Sequence, residues 1–351
     1  MDVQKLLEIT ISNNASDLHL VVGSPPVLRI DGVLSPVASQ PVLSPEDTER
    51  LTFGLLSQEQ KDLLLVNKEI DFSFALSTIA RFRVNAYYQK GYLSAALRLI
   101  PLKIKTIEEL SLPKTFHRFA GLQQGFILIT GPTGHGKSTT LAAIISEIND
   151  TRPVHILTIE DPIEYVYSRG KGMISQRELH LDTHSWSVAL RSALREDPDV
   201  VLIGEMRDLE TITAAMTIAE TGHLVFATLH TNSAAQSVDR IVDVFPQEQQ
   251  EQIRLQLAAT LASVVSQRLV PAIGGGRLPV VELLLTTAAV RTVIREGKSH
   301  MIDNIIQTSQ DVGMATLEMS LAALVKSGRI STSVAESYAM RPQELARLIR
   351  R

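Results

Sequence analysis

The segment GPTGHGKST, residues 131–139, constrains the fold more than any other part of the sequence, because it fits the phosphate-binding pattern G-x-x-x-x-G-K-[ST]. A short apolar run at 126–129 precedes it, as expected of a central parallel strand. After it, apolar residues recur at helical spacing over 141–148. A strand, a glycine-rich turn and a helix in this order predict a bound nucleoside triphosphate.

The residue types in this loop suit the chemistry of phosphate binding. Glycines let backbone N–H groups turn toward the β-phosphate, Lys137 reaches the β and γ oxygens, and the Ser138 hydroxyl binds Mg²⁺. The positive end of the helix that follows also favours phosphates. The predicted nucleotide-binding residues of this segment are Gly131, Thr133, Gly134, His135, Gly136, Lys137, Ser138, Thr139 and Thr140.

From residue 115 onward, strand-like and helical segments alternate. Apolar strands are predicted at 126–130, 155–160, 199–203 and 224–229. This alternation is typical of an α/β fold with a mostly parallel sheet flanked by helices. Beyond 246 the pattern is mainly helical, apart from a glycine turn and a strand-like segment at 278–285.

The first hundred residues have a different pattern, that of an α+β domain. Strand-like segments occur at 18–22, 26–34, 71–76, 80–88 and 92–100, with a helix at about 45–65. We therefore predict two domains, 1–100 and 115–351, joined by a linker at 101–114, with C-terminal helices over about 286–351. A length of 351 residues is enough for two hydrophobic cores.

Composition and charge narrow the functional classes. The sequence has no cysteine, which excludes disulfides and cysteine zinc sites and suits a reducing cytoplasm. The net charge of −4 gives no electrostatic reason to expect nucleic acid as a partner. Neither a signal peptide nor an apolar stretch of membrane-spanning length is visible.

Acidic residues follow two of the predicted strands. Glu160, Asp161 and Glu164 come after the second strand and could order Mg²⁺ or its waters, although a solvated acidic loop is an equal alternative. The third strand is followed by Gly204 and Glu205, whereas P-loop enzymes usually have an Asp at the first of these positions. Mg²⁺ would then depend on the P-loop serine and the acidic loop, and Glu205 is the candidate for water activation.

Histidines bracket the fourth predicted strand and raise the alternative of a zinc site. Seven extended residues span about 23 Å, so His223 and His230 cannot share one ion. His230 lies at the crevice end of the strand and is better placed to sense a γ-phosphate. His180 and His184 have i, i+4 spacing but lack a third ligand, which favours solvated side chains.

Arg81, Arg83 and Asn85 alternate with apolar residues in the segment at 80–88, and Arg98 lies in the next strand-like segment. One face of this sheet is therefore basic. It is either an ordinary solvated face or, beside a nucleotide site, a source of arginines that clamp phosphates.

Several stretches resemble the secretion-type ATPases of type IV pili. They are GPTGHGKSTT (131–140), ILTIEDPIEYV (156–166), REDPDVVLIGEMRD (195–208) and AETGHLVFATLHTNSA (219–234), with ASDLHL (15–20) and RFRVNAYYQ (81–89) nearer the N-terminus. The likeness covers nearly the whole chain. It is greatest to the retraction motors of the family. Assembly motors carry extra N-terminal domains and usually a four-cysteine zinc element, and this sequence shows neither.

The resemblance implies a PAS-like N-terminal domain followed by a RecA-like P-loop ATPase domain, in a hexamer that hydrolyses ATP with Mg²⁺. Nucleotide would lie between the domains, near the loop Asp31-Gly32-Val33. By position, Lys137, Ser138 and Thr139 would bind phosphates and Mg²⁺, Glu205 would activate water, Glu164 would support the metal through water, and His230 would read the γ-phosphate. Val33, Arg83 and Arg98 would contact nucleotide, and Arg195 would act at the subunit interface.

The same resemblance implies a role in pilus retraction and twitching motility. The motor would be peripheral at the cytoplasmic face of the inner membrane, acting on a PilC-like platform protein, with a heteromeric paralogue as a further partner. An accessory retraction paralogue and, less favoured, a RecA-like nucleic-acid translocase are the alternatives. Two departures stand out: His135 replaces the usual Ser, with little expected effect on binding, and AVRTVIRE (289–296) has Thr292 where the retraction motif AIRNLIRE has Asn.

Overall fold

The computed structural model describes residues 2–30, 32–77, 80–100 and 103–350. The chain divides into two compact units, the first formed by residues 1–103 with 162–166 and the second by 104–161 and 167–351. Ile107 and Leu112, within the segment predicted as a linker, are buried in a hydrophobic core of the second unit. Residues 101 and 102 of that segment lie outside the described residues.

The first unit contains an antiparallel sheet of six strands in the order β3–β2–β1–β6–β5–β4. The strands are β1 (Asp17–Leu20), β2 (Val27–Ile30), β3 (Val33–Pro36), β4 (Glu69–Leu76), β5 (Ala80–Gln89) and β6 (Tyr92–Ile100). The helices are α1 (Val3–Ser12), α2 (Pro45–Phe53) and α3 (Gln58–Asn67). In β5, Phe82 and Val84 are buried while Arg81 and Arg83 lie on the other face, as the alternation predicts.

Two predictions for this unit are wrong in detail. The strand predicted at 26–34 is the hairpin of β2 and β3, with Gly32 in the turn at a φ of 85°. The helix predicted at 45–65 is interrupted, because the Ser57 side chain caps a new helix, α3, in a capping box. Asp31, predicted to lie beside the nucleotide, falls outside the described residues.

The second unit is built around a sheet of seven strands in the order β13–β12–β7–β11–β10–β8–β9. The strands are β7 (Gly125–Thr130), β8 (His155–Glu160), β9 (Met173–Glu178), β10 (Val200–Ile203), β11 (Leu224–Leu229), β12 (Leu261–Pro271) and β13 (Arg277–Leu285). Neighbouring strands are parallel except for β13, which is antiparallel to β12. The predicted α/β architecture with a mostly parallel sheet is confirmed.

Helices cover this sheet and form the C-terminal region. They are α4 (Phe116–Gly121), α5 (Lys137–Thr151), α6 (Trp186–Ala193), α7 (Leu209–Glu220), α8 (Ala234–Asp243), α9 (Gln247–Thr260), α10 (Ala288–Arg295), α11 (Ile302–Thr308), α12 (Leu317–Lys326), α13 (Thr332–Tyr338) and α14 (Pro342–Arg350). Across the described residues, none of the helices combines the length and the apolar character needed to cross a membrane.

The mainly helical pattern predicted beyond 246 is wrong for β12. This strand follows α9 without a glycine or proline between them, so the local sequence gives no sign of the change. Ser263, Ser266 and Gln267 are buried polar residues within it, which further obscures the apolar run expected of a central strand. β12 nevertheless lies directly beside β7, the strand that leads into the P-loop.

Strand β7 is buried on both faces. Phe126 and Leu128 pack in one hydrophobic cluster, while Ile127 and Ile129 pack in another. Each such side chain stabilises the fold by about 1.5–3 kcal/mol when fully buried. The burial of β7 therefore fixes the point from which the phosphate-binding loop departs.

Candidate nucleotide-binding site

The loop between β7 and α5 begins at Gly131 and ends at Gly136, the residue that precedes the helix. Gly131 has a φ of 136° and Gly136 a φ of 81°, values at which side chains are strained. A Cβ at position 131 would also lie 2.2 Å from the carbonyl oxygen of Gln267 in β12. Backbone geometry therefore requires the first and last glycines of the pattern.

Lys137 is the first residue of α5 and is buried. Its Nζ donates hydrogen bonds to the carbonyl oxygens of Gly131, at 2.7 Å, and Pro132, at 3.2 Å. These bonds hold the ammonium group against the loop. Its charge thus lies within the segment to which the pattern assigns phosphate binding.

Glu205 is the centre of a polar cluster at the carboxyl ends of β10 and β11. Its carboxylate accepts hydrogen bonds of 2.7 and 2.8 Å from Arg207, and its Oε1 lies 2.8 Å from His230 Nε2. The other ring nitrogen, His230 Nδ1, lies 3.4 Å from Thr133 Oγ1 in the P-loop. A chain of polar contacts therefore brings Glu205, His230 and Thr133 together.

The environment of Glu205 favours its ionised form. Burial alone would raise its pKa, but the hydrogen bond from Arg207 and the positive charges of His230 and Arg207 lower the pKa below its ordinary value. An ionised carboxylate can accept a proton or a hydrogen bond from water, as activation of a water molecule requires. Arg207 is not among the site residues predicted from the sequence. It lies two residues after Glu205, within the segment 195–208 that resembles the ATPase family.

Gly204 occupies the position where P-loop enzymes usually have an Asp. A Cβ there would lie 3.3 Å from Glu160 Cα and 3.3 Å from the Ile159 carbonyl oxygen. It would also approach the Trp186 ring to 3.4 Å. This strand end therefore has little room for a larger side chain, and β10 offers Glu205 alone as its acidic residue at this edge of the sheet.

The three acidic residues at and after the end of β8 separate in the structure. Glu160 is buried and accepts hydrogen bonds from Thr158 Oγ1, at 2.6 Å, and Gln176 Nε2, at 3.2 Å. Asp161 is exposed, and Glu164 belongs to the first unit. Glu160 thus connects β8 with β9, while the metal-supporting role of Glu164 stays a prediction.

His135 contacts β12 through its side chain. The ring Nδ1 accepts a hydrogen bond of 3.0 Å from the backbone N–H of Leu269. Burial lowers the pKa of His135, as do the positive charges of Arg268, Arg277 and Lys137. A neutral ring suits this contact, because Nδ1 can accept only when it carries no proton.

The residues present fit Mg²⁺ bound chiefly through a nucleotide. Over the described ranges, no group of three or more His, Cys, Asp or Glu side chains is placed to hold a metal ion. Mg²⁺ at such sites commonly takes one or two protein oxygens and completes its shell with phosphates and water. Ser138, in the first turn of α5, offers one hydroxyl of this kind.

The histidines at the two ends of β11 do not form a metal pair. The continuous strand Leu224–Leu229 separates His223 from His230, as predicted. His223 Nδ1 instead lies 3.0 Å from the Ile218 carbonyl oxygen. His180 and His184 are exposed, in agreement with solvated side chains.

Three predicted nucleotide contacts belong to the first unit. Arg83 and Arg98 are opposite one another in β5 and β6, and Arg98 Nε donates to Asp17 Oδ1 at 2.9 Å. Val33 is 66% exposed. Arg195 lies in the second unit, exposed after α6. The nucleotide contacts of all four stay predictions.

A cavity of about 760 Å³ opens where β7 begins, at the edge of the sheet opposite the P-loop. Phe119, Leu122 and Leu261 contribute apolar lining, and Arg118 and Arg291 contribute positive charge. Arg291 lies in α10, within the segment that resembles the retraction motif. This motif therefore lies away from the phosphate-binding loop.

Known proteins match the chain over nearly its whole length. The family model described as type II/IV secretion system protein matches residues 1–275. A Pseudomonas aeruginosa protein named type IV pilus retractation ATPase PilT is 48% identical over 343 residues, covering 98% of this chain and 99% of that protein. The type IV pilus ATPase PilU of the same organism is 39% identical, covering 100% of this chain and 92% of that protein.

A solved structure has the same fold. The crystal structure of the pilus retraction motor PilT with bound ADP matches at a TM-score of 0.93 and 45% identity, covering 99% of each chain. The match therefore extends over both units of the chain.

Proposed function

The chain belongs to the type II/IV secretion system protein family, and from this premise we propose that it is a motor ATPase that powers type IV pilus retraction. The observation that carries the enzymatic part is the polar chain from Glu205 through His230 to Thr133. It joins a carboxylate able to activate water to a loop able to bind phosphates.

ATP binds at the P-loop together with Mg²⁺. Lys137 supplies positive charge to the β- and γ-phosphates, the loop amides donate hydrogen bonds to them, and Ser138 would supply a hydroxyl ligand to the metal. When bound, Mg²⁺ would supply positive charge that offsets the charge developing on the phosphate oxygens. Glu205 orients a water molecule for in-line attack on the γ-phosphorus, and His230 contacts the γ-phosphate from the end of β11.

We regard the first unit as PAS-like and the second unit as RecA-like, and we assign Arg83 and Arg98 to the nucleotide phosphates. Asp17 already pairs with Arg98, and a phosphate beside the Arg83–Arg98 pair would offset its remaining positive charge. Val33 contacts the nucleotide, and Glu164 supports Mg²⁺ through water. Arg195 contacts the nucleotide that a neighbouring subunit binds.

The active assembly is a homo-hexamer peripheral to the cytoplasmic face of the inner membrane. It acts there on a PilC-like platform protein, and a paralogous ATPase joins it as a heteromeric partner. Sedimentation with and without nucleotide tests the assembly. A strict monomer under every nucleotide and Mg²⁺ condition would contradict sites shared between subunits.

A PilU-like accessory motor is the second candidate. The identity of 48% to the PilT protein against 39% to the PilU protein favours the retraction motor. A nucleic-acid translocase has less support, because the net charge is −4. Stimulation of ATP hydrolysis by single-stranded DNA would favour the hypothesis of a nucleic-acid translocase.

Deletion of the gene in its piliated host tests the proposed function. A retraction motor predicts excess surface pili and no twitching, whereas an assembly motor predicts bald cells. If the purified protein does not hydrolyse ATP in the presence of Mg²⁺, every ATPase function proposed here is contradicted.

A further inference from the structure

The side chain of Gln267 in β12 forms hydrogen bonds with the P-loop and with the helix that follows it. Its side chain is buried, its Nε2 donates to the His135 carbonyl oxygen at 2.9 Å, and its Oε1 accepts from Thr140 Oγ1 at 2.8 Å. Because a backbone carbonyl can only accept, the side-chain nitrogen must face His135. The amide therefore bridges the middle of the loop and the first turn of α5.

This contact determines where the loop amides point. In a trans peptide the C=O of one residue and the N–H of the next point in opposite directions. With the His135 carbonyl held toward β12, the Gly136 N–H points away from β12. Arg277 Nη1 of β13 donates to the Gly134 carbonyl at 3.2 Å, so the His135 N–H points away from the strands in the same manner.

The two N–H groups are available to a ligand. Over the described residues, neither the His135 nor the Gly136 amide donates a backbone hydrogen bond. Gly134 and Gly136 have φ values of 77° and 81°, which turn the chain sharply on both sides of His135. Successive amides in such a turn form a concave site for an anion.

We propose that Gln267 is a positioning residue that shapes the P-loop for phosphate before the nucleotide arrives. It acts through the His135 peptide rather than by touching the ligand. An amide group that is already oriented binds more tightly, because binding does not have to order it. This proposal rests on the proposed nucleotide-binding function.

Packing alone does not explain this residue. A buried amide must be desolvated, so Met or Leu would fill the same space without that cost. Both polar ends of Gln267 are satisfied by groups of the P-loop and α5. The polar side chain therefore fits a requirement of the loop better than a requirement of the core.

The full-length protein can be tested with ADP as the probe. Gln267→Met keeps an unbranched side chain of similar length and removes both hydrogen bonds. The Thr140 side chain is buried and its hydroxyl donates to Gln267 Oε1, so Thr140→Val removes this anchor of the amide, whereas Thr140→Ser retains it. Gln256→Leu is the matched control, because Gln256 lies in α9 and its side chain donates to the exposed carboxylate of Glu220.

Gln267→Met is expected to raise the Kd for ADP and the KM for ATP about tenfold to a hundredfold, with a smaller change in kcat. Thr140→Val should weaken binding in the same direction, Thr140→Ser should restore it, and Gln256→Leu should bind as the wild type does. A role in packing alone would instead lower the amount of active protein, and hence kcat, at unchanged KM.

Binding of ADP to folded Gln267→Met within twofold of the wild type would overturn the proposal. If that variant fails to fold, the Thr140 pair decides, since equal ADP affinities of Thr140→Val and Thr140→Ser would also overturn it. Failure of the wild type itself to bind ADP would contradict the proposed function rather than the role of Gln267.

Discussion

Arg207 and His230 both contact the negatively charged carboxylate of Glu205, at the ends of the neighbouring strands β10 and β11. The carboxylate accepts two hydrogen bonds from Arg207, a side chain that is 72% exposed. An exposed ion pair of this kind is weak and can rearrange at low energetic cost. This weak pairing is compatible with the proposed role of Glu205, in which its carboxylate would exchange an Arg207 contact for a water molecule.

Glu205→Gln separates nucleotide binding from chemistry. Gln keeps the size and one acceptor oxygen but removes the charge, so turnover should fall by about 10²–10⁴-fold while ATP still binds. Lys137→Ala should weaken both binding and turnover. ATP affinity with and without Mg²⁺, measured beside the hydrolysis rate, tests the distinction.

Two outcomes would change this assignment. Near-normal turnover of Glu205→Gln would remove Glu205 from the mechanism. A parallel loss of ATP affinity that appears only with Mg²⁺ would assign Glu205 to the metal instead.

Arg207→Ala should shift the pH dependence of hydrolysis. The active, ionised Glu205 is present above its pKa and lost as the pH falls through it. Arg207 lowers that pKa, so removing Arg207 should move the acidic limb of kcat/KM to higher pH. Arg207→Lys, which keeps the charge, should move it less, and identical acidic limbs in all three proteins would contradict the assignment.

At the scale of elements, α10 gives the retraction-like segment a definite form. The Thr287 side chain caps its N-terminus, and Val290, Val293 and Ile294 are buried. Arg295 and Glu296 are exposed, and Glu296 pairs with Lys298 at 2.7 Å. Because exposed pairs contribute about 0–1 kcal/mol, these charges are not required for the fold.

Replacing Arg295 and Glu296 by Ala should therefore abolish twitching while leaving ATP hydrolysis largely intact. The free energy of unfolding should change by less than about 1 kcal/mol. The matched control replaces Glu49 and Arg50, adjacent exposed residues of opposite charge in α2, by Ala; Arg50 there pairs with Asp47 at 2.6 Å, as Glu296 pairs with Lys298. Twitching at wild-type speed in the α10 variant would leave the segment with a packing role only.

At the scale of the whole molecule, one buried carboxyl group joins the nucleotide-binding unit to its C-terminal helices. Glu282 in β13 accepts a hydrogen bond of 2.7 Å from the N–H of Ala234, the first residue of α8. Its Oε2 lies 4.0 Å from Arg341, which also pairs with Glu318 of α12 at 3.4 Å. Burial raises the pKa of Glu282 to about 7, although the Ala234 hydrogen bond and the charge of Arg341 lower it in part.

This raised pKa predicts a dependence of stability on pH. A group with a folded pKa above its unfolded value stabilises the fold at low pH, and that contribution is lost as the pH rises. For Glu282 the loss falls between pH about 4.5 and about 7 and amounts to at most roughly 3 kcal/mol.

Glu282→Gln should remove this contribution, because the amide does not titrate. Relative to the wild type, the variant should gain stability when urea unfolding is measured at pH 8 instead of pH 5. Glu344→Gln, which removes a second carboxylate that pairs with Arg341 at 3.3 Å, is the control. An equal difference between wild type and Glu282→Gln at both pH values would contradict the prediction.

Local sequence patterns determined the P-loop, the strands β7, β8, β10 and β11, and the choice of Glu205 and His230. Each of these signals is carried by residues adjacent in the chain, since glycines, apolar runs and helical spacing reflect local backbone preferences and burial. The position of each strand in turn placed its following side chain at the ligand edge of a parallel sheet.

Only the tertiary structure decided which distant residues meet. Gln267 and His135 are 132 positions apart and touch because β12 lies beside β7, a neighbour relation that no local pattern reports. The same holds for the acidic segment, where Glu160 turns into the core and Glu164 joins the other unit. Strand order and packing depend on the free energy of the whole fold. They bring Gln267 of β12 into contact with the phosphate-binding motif.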